Sequence, residues 1–142
     1  PIISGTGLKG EKISTDSNNP KIILFLAHWC GHCQQKVKMV QKWINENGNP
    51  EPIKLYSVLT SINSGQPNYP PDKWLESENW TVPTFTDNAQ DGVAQHFGIR
   101  GFPFMVLIDN KGKIITRLSG SYNAEQFEII LANTIRHDKS VN

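Results

Sequence analysis

Cysteine is scarce in this chain: two residues among 142, Cys30 and Cys33. Such scarcity excludes a disulfide-stapled scaffold, which needs several bridges to make up for a small core. Long hydrophobic runs are absent too. The longest, Ile22 to Ala27, falls far short of the ~20 residues that a membrane-spanning helix needs. Neither sign of charge is in excess, because 14 Lys/Arg stand against 13 Asp/Glu for a net charge of +1. Nothing in that balance points to nucleic acid or to an anionic membrane surface. There is no internal repeat, no low-complexity segment and no visible secretory signal. The chain opens on Pro1 rather than Met, and a removed leader or a membrane tether ahead of it is compatible with that start.

What is present is an ordinary globular composition, 37% hydrophobic and 19% charged, in a length that suits one domain. Residues 1–142 are read as a single domain of the α/β class. The first twenty residues, rich in Gly, Ser, Thr and Asn, suggest a hairpin or extended arm. Ile22 to Ala27 is a continuous apolar run with β-branched residues, the pattern of a strand buried on both faces. After Cys33 the period changes: Val37, Val40 and Ile44 form the stripe of an amphipathic helix, closed by Asn47-Gly48. Ile53 to Leu59 alternates as a second strand. Strand, helix and strand in that order predict a parallel βαβ unit.

Thr60 to Pro71 reads as a loop, and Pro71 opens a short helix through Asn79, so that residues 60–80 form an insertion. Val82 to Thr86 is predicted as a short edge strand and Gly92 to Phe97 as a short helix closed by Gly98. Phe104 to Ile108 and Ile114 to Leu118 are predicted to pair antiparallel across a turn at Asp109 to Gly112. In the last element Phe127, Ile130, Leu131, Thr134 and Ile135 share a helical face, and Asn123 with Gln126 makes a capping box. The expected architecture is a central mixed sheet flanked by helices on both faces.

The two cysteines stand three apart in Trp29-Cys30-Gly31-His32-Cys33, directly after the buried strand and at the start of a helix. Random placement of two cysteines in this length would give that spacing about once in 70 trials. A bridge across two residues constrains too little chain for a structural staple. Zinc normally takes four ligands, and the chain has no second cysteine pair. A redox pair outweighs an inert structural one as the reading.

This motif in this context resembles the thioredoxin superfamily. A second stretch agrees: Phe97-Gly98-Ile99-Arg100-Gly101-Phe102-Pro103 resembles the superfamily's approach to its cis-proline. The N-terminal arm and the insertion are similar to the extracytoplasmic branch typified by TlpA, ResA and DsbE. The resemblance implies a thioredoxin-like fold and a thiol–disulfide oxidoreductase, with no cofactor and no metal. It implies cysteine-containing protein substrates, an upstream redox partner protein and an extracytoplasmic location; a monomer is expected. It also implies that Pro103 faces the cysteines, that the Phe102 backbone pairs with the substrate chain, and that Trp29 offers an apolar docking surface. Two positions depart from the branch. Lys36 stands where a proton-handling Glu is common, and Lys38 where a kinking proline is common, so the helix is expected to run straighter.

Disulfide exchange needs a thiolate. A thiol of pKa ≈ 8.5 is only ~3% ionised at pH 7, and lowering it two units takes ~2.7 kcal/mol. A helix N-terminus supplies ~0.3–1 kcal/mol, up to ~2 in favourable geometry, so hydrogen bonds from free backbone N–H groups and from Cys33 must add to it. Cys30 is therefore expected to be the attacking, more exposed nucleophile, and Cys33, one helical turn on and nearer the core, the resolving thiol. In Gly31-His32, a dipeptide resembling that of protein disulfide isomerases, a protonated His32 adds an attractive charge.

Other readings rank lower. A thiol peroxidase would carry proline and a hydroxyl residue where Ile23 and Ala27 stand. A copper carrier would use a wider cysteine spacing. A chaperone-like binding module on the same fold is the alternative kept. His28 is a weaker candidate for tuning the pair, and His96 and His137 read as surface residues. Tyr69, Trp74 and Trp80 are expected to pin the insertion to the core, and Lys36 and Lys38 to lie on a solvated helix face.

Overall fold

The computed structural model describes residues 2–141. Strands β1 (Ser4–Thr6) and β2 (Lys12–Ser14) form an antiparallel hairpin, the arm expected there. They are followed by β3 (Lys21–Leu26), α1 (Gly31–Asn47), β4 (Lys54–Leu59), α2 (Pro71–Ser77), β5 (Thr84–Thr86), α3 (Gly92–Phe97), β6 (Phe104–Ile108), β7 (Ile114–Ser119) and α4 (Ala124–Ser140). The main sheet has the order β5-β4-β3-β6-β7, with β3, β4 and β5 parallel and β6 and β7 antiparallel to their neighbours.

The apolar run places β3 at the centre, and each of its six residues is buried. Its side chains alternate between two cores, as the strand period requires. Ile23 and Phe25 join Phe97 of α3, Tyr56, Phe85, Val106 and the hairpin residue Ile13. Ile22 and Leu24 join Val40 and Ile44 of α1 and Phe127 and Leu131 of α4. Helices α1 and α4 thus cover one face, while α3 and the hairpin cover the other.

Strand β4 departs from the alternation expected of it. Leu55 to Leu59 are all buried, because a parallel strand between two covered faces has no solvent side. The polar member, Ser57, has its hydroxyl 2.6 Å from that of Thr84 on β5 and accepts the indole N–H of Trp80 at 3.0 Å. Strand β5 is shorter than expected. Pro83 lies just outside it, and only the Pro83 carbonyl takes part in pairing, accepting Ser57 N–H.

At the far end of α1, Gly48 adopts φ +81 and its N–H closes on the Ile44 carbonyl at 2.7 Å. The left-handed conformation suits glycine, which has no Cβ to clash. The helix runs unbroken through Lys38. The capping box of α4 is complete: Asn123 accepts Gln126 N–H and Gln126 accepts Asn123 N–H, each at 2.8 Å.

Candidate active site

The chain leaves the C-terminal end of β3 and turns within Ala27-His28-Trp29, where Cys30 N–H donates to the Ala27 carbonyl at 3.1 Å. Cys30 then caps α1. Its backbone is extended (φ −82, ψ 117), and its Sγ accepts the Cys33 N–H at 3.1 Å. An N-cap acceptor satisfies one of the helix's orphan donors, and the helix dipole favours negative charge at that place. Both cysteines are free thiols. Cys30 is 8% exposed and Cys33 not at all, which sets the sulfur nearer solvent at the helix tip and the other one turn inward.

Gly31 and His32 are exposed, and an added Cβ at Gly31 would meet open space. Cys33 packs among Leu26, Val37, Leu59, Trp74 and Leu75. Burial above all, then the hydrogen bond to Cys30, pushes its thiol well above the ordinary range, against a smaller opposing pull from the Ala27 backbone.

Burial also raises Tyr122 and Tyr56, while it lowers Lys21. An acid whose folded pKa exceeds its unfolded one contributes stability that is complete below the unfolded value and lost as pH rises past it. For Cys33 the loss starts near its ordinary value of 9.0, and the tyrosines join it from 10.0. Lys21, with its folded pKa depressed, works in the opposite sense just below 10.5 and offsets part of the loss. The reduced protein should therefore lose about 1.4 kcal/mol per pH unit for each titrating group above pH ~9. Urea unfolding between pH 8 and 10 checks this, and Cys33→Ala should flatten the first part of the slope. A wild-type profile without that decline would contradict the assignment.

Across the helix tip, the segment Phe97 to Pro103 bends with Gly98 at φ +69 and Gly101 at φ +79. The peptide bond Phe102–Pro103 is cis, as are Glu51–Pro52 and Tyr69–Pro70. Pro103 is buried and its carbonyl accepts Gly120 N–H at 3.0 Å. Phe102 is half-buried against the cluster that holds both cysteines, and its ring stands edge-on to Trp29 at 5.8 Å. Among the described residues, the Phe102 N–H and C=O have no hydrogen-bond partner. Trp29 is 37% exposed and its indole N–H donates to the Ser61 carbonyl at 2.8 Å.

Tyr69 and Lys36 differ from their sequence reading, and His28 takes a structural place. His28 is fully buried. Its Nδ1 lies 2.6 Å from the Pro67 carbonyl and its Nε2 accepts Asn63 N–H at 3.1 Å, so it ties the insertion loop to the turn ahead of Cys30. Trp74 is buried and Trp80 partly buried, as pinning residues should be, but Tyr69 is half exposed and touches the His28 ring edge-on at 5.8 Å. Lys38 lies on the solvated face and pairs with Glu78 at 2.7 Å. Lys36 does not: it is only 9% exposed, because its ammonium turns to the carbonyl and ring of Tyr122, just ahead of α4, rather than to water. Asp87 was not singled out by the sequence, yet its carboxylate accepts Thr60 Oγ and the Val93 and Ala94 N–H groups, fastening β4 to the start of α3.

A thioredoxin-like domain profile matches residues 10–135. The chain belongs to the thioredoxin-like family. It is similar to nucleoredoxin of Danio rerio, 26% identical over 124 residues that cover 82% of this chain and 28% of that one. The chain thus spans roughly a quarter of the length of the curated relatives it matches. Its fold is shared with StoA of Bacillus subtilis (TM-score 0.74, 23% identity, 89% of this chain and 93% of that one). It is shared as well with the exposed lipoprotein thioredoxin of Streptococcus pneumoniae (TM-score 0.75, 17% identity, 94% and 99%). Among the described residues, no helix is long and apolar enough to cross a membrane.

Proposed function

We propose that this thioredoxin-like domain is a thiol–disulfide oxidoreductase that exchanges disulfides with cysteine-containing proteins through Cys30 and Cys33. The observation that carries the reading is the Cys30 sulfur itself, set at the tip of a 17-residue helix and accepting the Cys33 N–H. A helix N-terminus and a donated backbone N–H each favour a negatively charged acceptor. In the reductive direction, the Cys30 thiolate attacks a substrate disulfide, forms a mixed disulfide and releases one substrate thiol. Cys33 then attacks the Cys30 sulfur, closing the Cys30–Cys33 disulfide and releasing the second. Oxidation of substrates is the reverse sequence, with an upstream partner protein restoring the starting state in either case.

The surroundings support a polypeptide substrate. The unpartnered N–H and C=O of Phe102 offer a short ladder to an extended chain, with the rings of Phe102 and Trp29 beside it. In this reading Pro103 lines the groove opposite the cysteines, and Gly31, lacking a side chain, leaves room for the incoming disulfide. The exposed lipoprotein thioredoxin that shares the fold supports an extracytoplasmic setting.

The test is the reduction potential of the pair, measured by equilibration with glutathione. A value near roughly −270 mV fits a reductase and one near roughly −120 mV an oxidant, whereas a dithiol that does not equilibrate at all would remove the reading. His32, exposed between the cysteines, adds positive charge when protonated and so favours the thiolate and the reduced form. His32→Pro is therefore expected to lower the potential, by about 30 mV for each unit of lost thiolate stabilisation. An unchanged or raised potential would exclude that role for His32.

A further inference from the structure

Resolution of the mixed disulfide asks a buried thiol to become an anion, and the structure holds a buried cation one turn away. Cys33 is fully buried and Lys36 is 9% exposed. Side chains three apart on a helix share a face, with Cβ atoms about 5–6 Å apart. The Lys36 ammonium donates to the Tyr122 carbonyl and lies 5.4 Å from the centre of the Tyr122 ring. These contacts fix its direction but do not neutralise it. The ion pairs of the described residues join Lys38, Lys54 and Lys73 to glutamates, and none includes Lys36. A buried charge without a counter-ion is costly. The cost falls when an anion forms beside it. Tyr122, the residue that holds the ammonium, also senses Cys33, since a thiolate there pushes the phenol further up.

We propose that Lys36, held by Tyr122, is the fixed counter-charge for the Cys33 thiolate in the resolving step. This rests on the disulfide-exchange reading given above. In that step Cys33 gives up its proton and attacks the Cys30 sulfur. The Cys30–substrate S–S bond breaks as the Cys30–Cys33 bond forms, and the departing substrate thiolate takes up one proton. No net electron is gained or lost in this step. The ammonium keeps its protons throughout and acts by its field alone. It lowers the barrier because its attraction exists only when Cys33 is ionised, the condition for accelerating a step rather than merely stabilising its starting state. Lys36 is therefore a positioning group acting through Cys33, outside the set of atoms that react. Cys30 lies at the helix tip, in the preceding turn and nearer solvent, so its own attack should depend little on Lys36.

The two steps separate in a reaction of the reduced protein with dithiobis(nitrobenzoic acid). Cys30 attack releases the first coloured thiolate, and Cys33 resolution releases the second. In Lys36→Met the first phase is expected to stay within about twofold of wild type. The second is expected to slow about tenfold or more, with its rise with pH displaced toward alkaline values by about one unit. Lys36→Arg, which keeps the charge, should restore most of the second phase. If Lys36→Met loses its far-ultraviolet circular dichroism, Lys36→Gln replaces it, since an amide still donates to the Tyr122 carbonyl, and the same outcomes apply. An unchanged second phase, equal slowing of both phases, or failure of Lys36→Arg to recover the rate would overturn the role of Lys36. Loss of the first phase in the wild-type protein would instead overturn the disulfide-exchange reading itself.

Discussion

Cys30→Ser is expected to abolish turnover with disulfide substrates completely while leaving the fold within about 1 kcal/mol of wild type. Serine offers no sulfur to form a mixed disulfide, so no slower route through the same site remains. Stability should hold because the position is an N-cap, where Cys30 already accepts the Cys33 N–H, and serine is among the residues that best fill that role. Insulin reduction or glutathione-coupled turnover reads the activity, and urea unfolding reads the fold. The experiment also separates the two function classes that suit this architecture. A chaperone-like module, which works by holding a chain rather than by exchanging bonds, would keep its activity after the substitution. Retained activity in Cys30→Ser would therefore refute the oxidoreductase reading.

The largest effect on stability is expected at Phe127. Its ring is fully buried under α4, stacked with Tyr122 at 6.1 Å and edge-on to Trp43 of α1 at 5.6 Å. It joins the two helices to the sheet through Leu24, Met105 and Leu107. Phe127→Ala removes the transfer free energy of the ring and leaves a cavity that three elements must collapse to fill, a cost of about 3–5 kcal/mol. For a chain of this size, the melting temperature should fall by about 10–15 °C. Ile129→Ala is the control. Two residues along the same helix, Ile129 is 53% exposed, and its loss should cost no more than about 0.5 kcal/mol. Equal effects at the two positions would mean that α4 does not seat on the sheet as described. Because Tyr122 stacks on Phe127 and also holds Lys36, the cavity variant should loosen the Lys36 contact as well.

Local sequence signals located most of the elements. The αβ periodicity, the Asn123–Gln126 box and the glycine at the end of α1 each depend on neighbours within a few residues, so their outcome could be read without the rest of the chain. The cysteine pair was legible for the same reason, since its spacing and its place between strand and helix are local facts. The errors came where burial depends on distant partners. The alternation expected of β4 is absent, because β3, β5 and the layers above and below enclose it. Lys36 had the composition of a solvated position, and only Tyr122, 86 residues away in sequence and just ahead of α4, takes up its ammonium. Likewise, nothing local to His28 announces that its two ring nitrogens serve Pro67 and Asn63.

The sequence by itself determined that this is an α/β chain with one closely spaced cysteine pair at the start of an amphipathic helix, because hydrophobic period, capping residues and cysteine spacing act over short range. Only the tertiary structure decided which sulfur faces outward, what lies across from it, and which charge is shut in with the other. Those outcomes arise when segments far apart in the chain exclude water from the same volume, and burial then sets the cost of every proton and charge inside it.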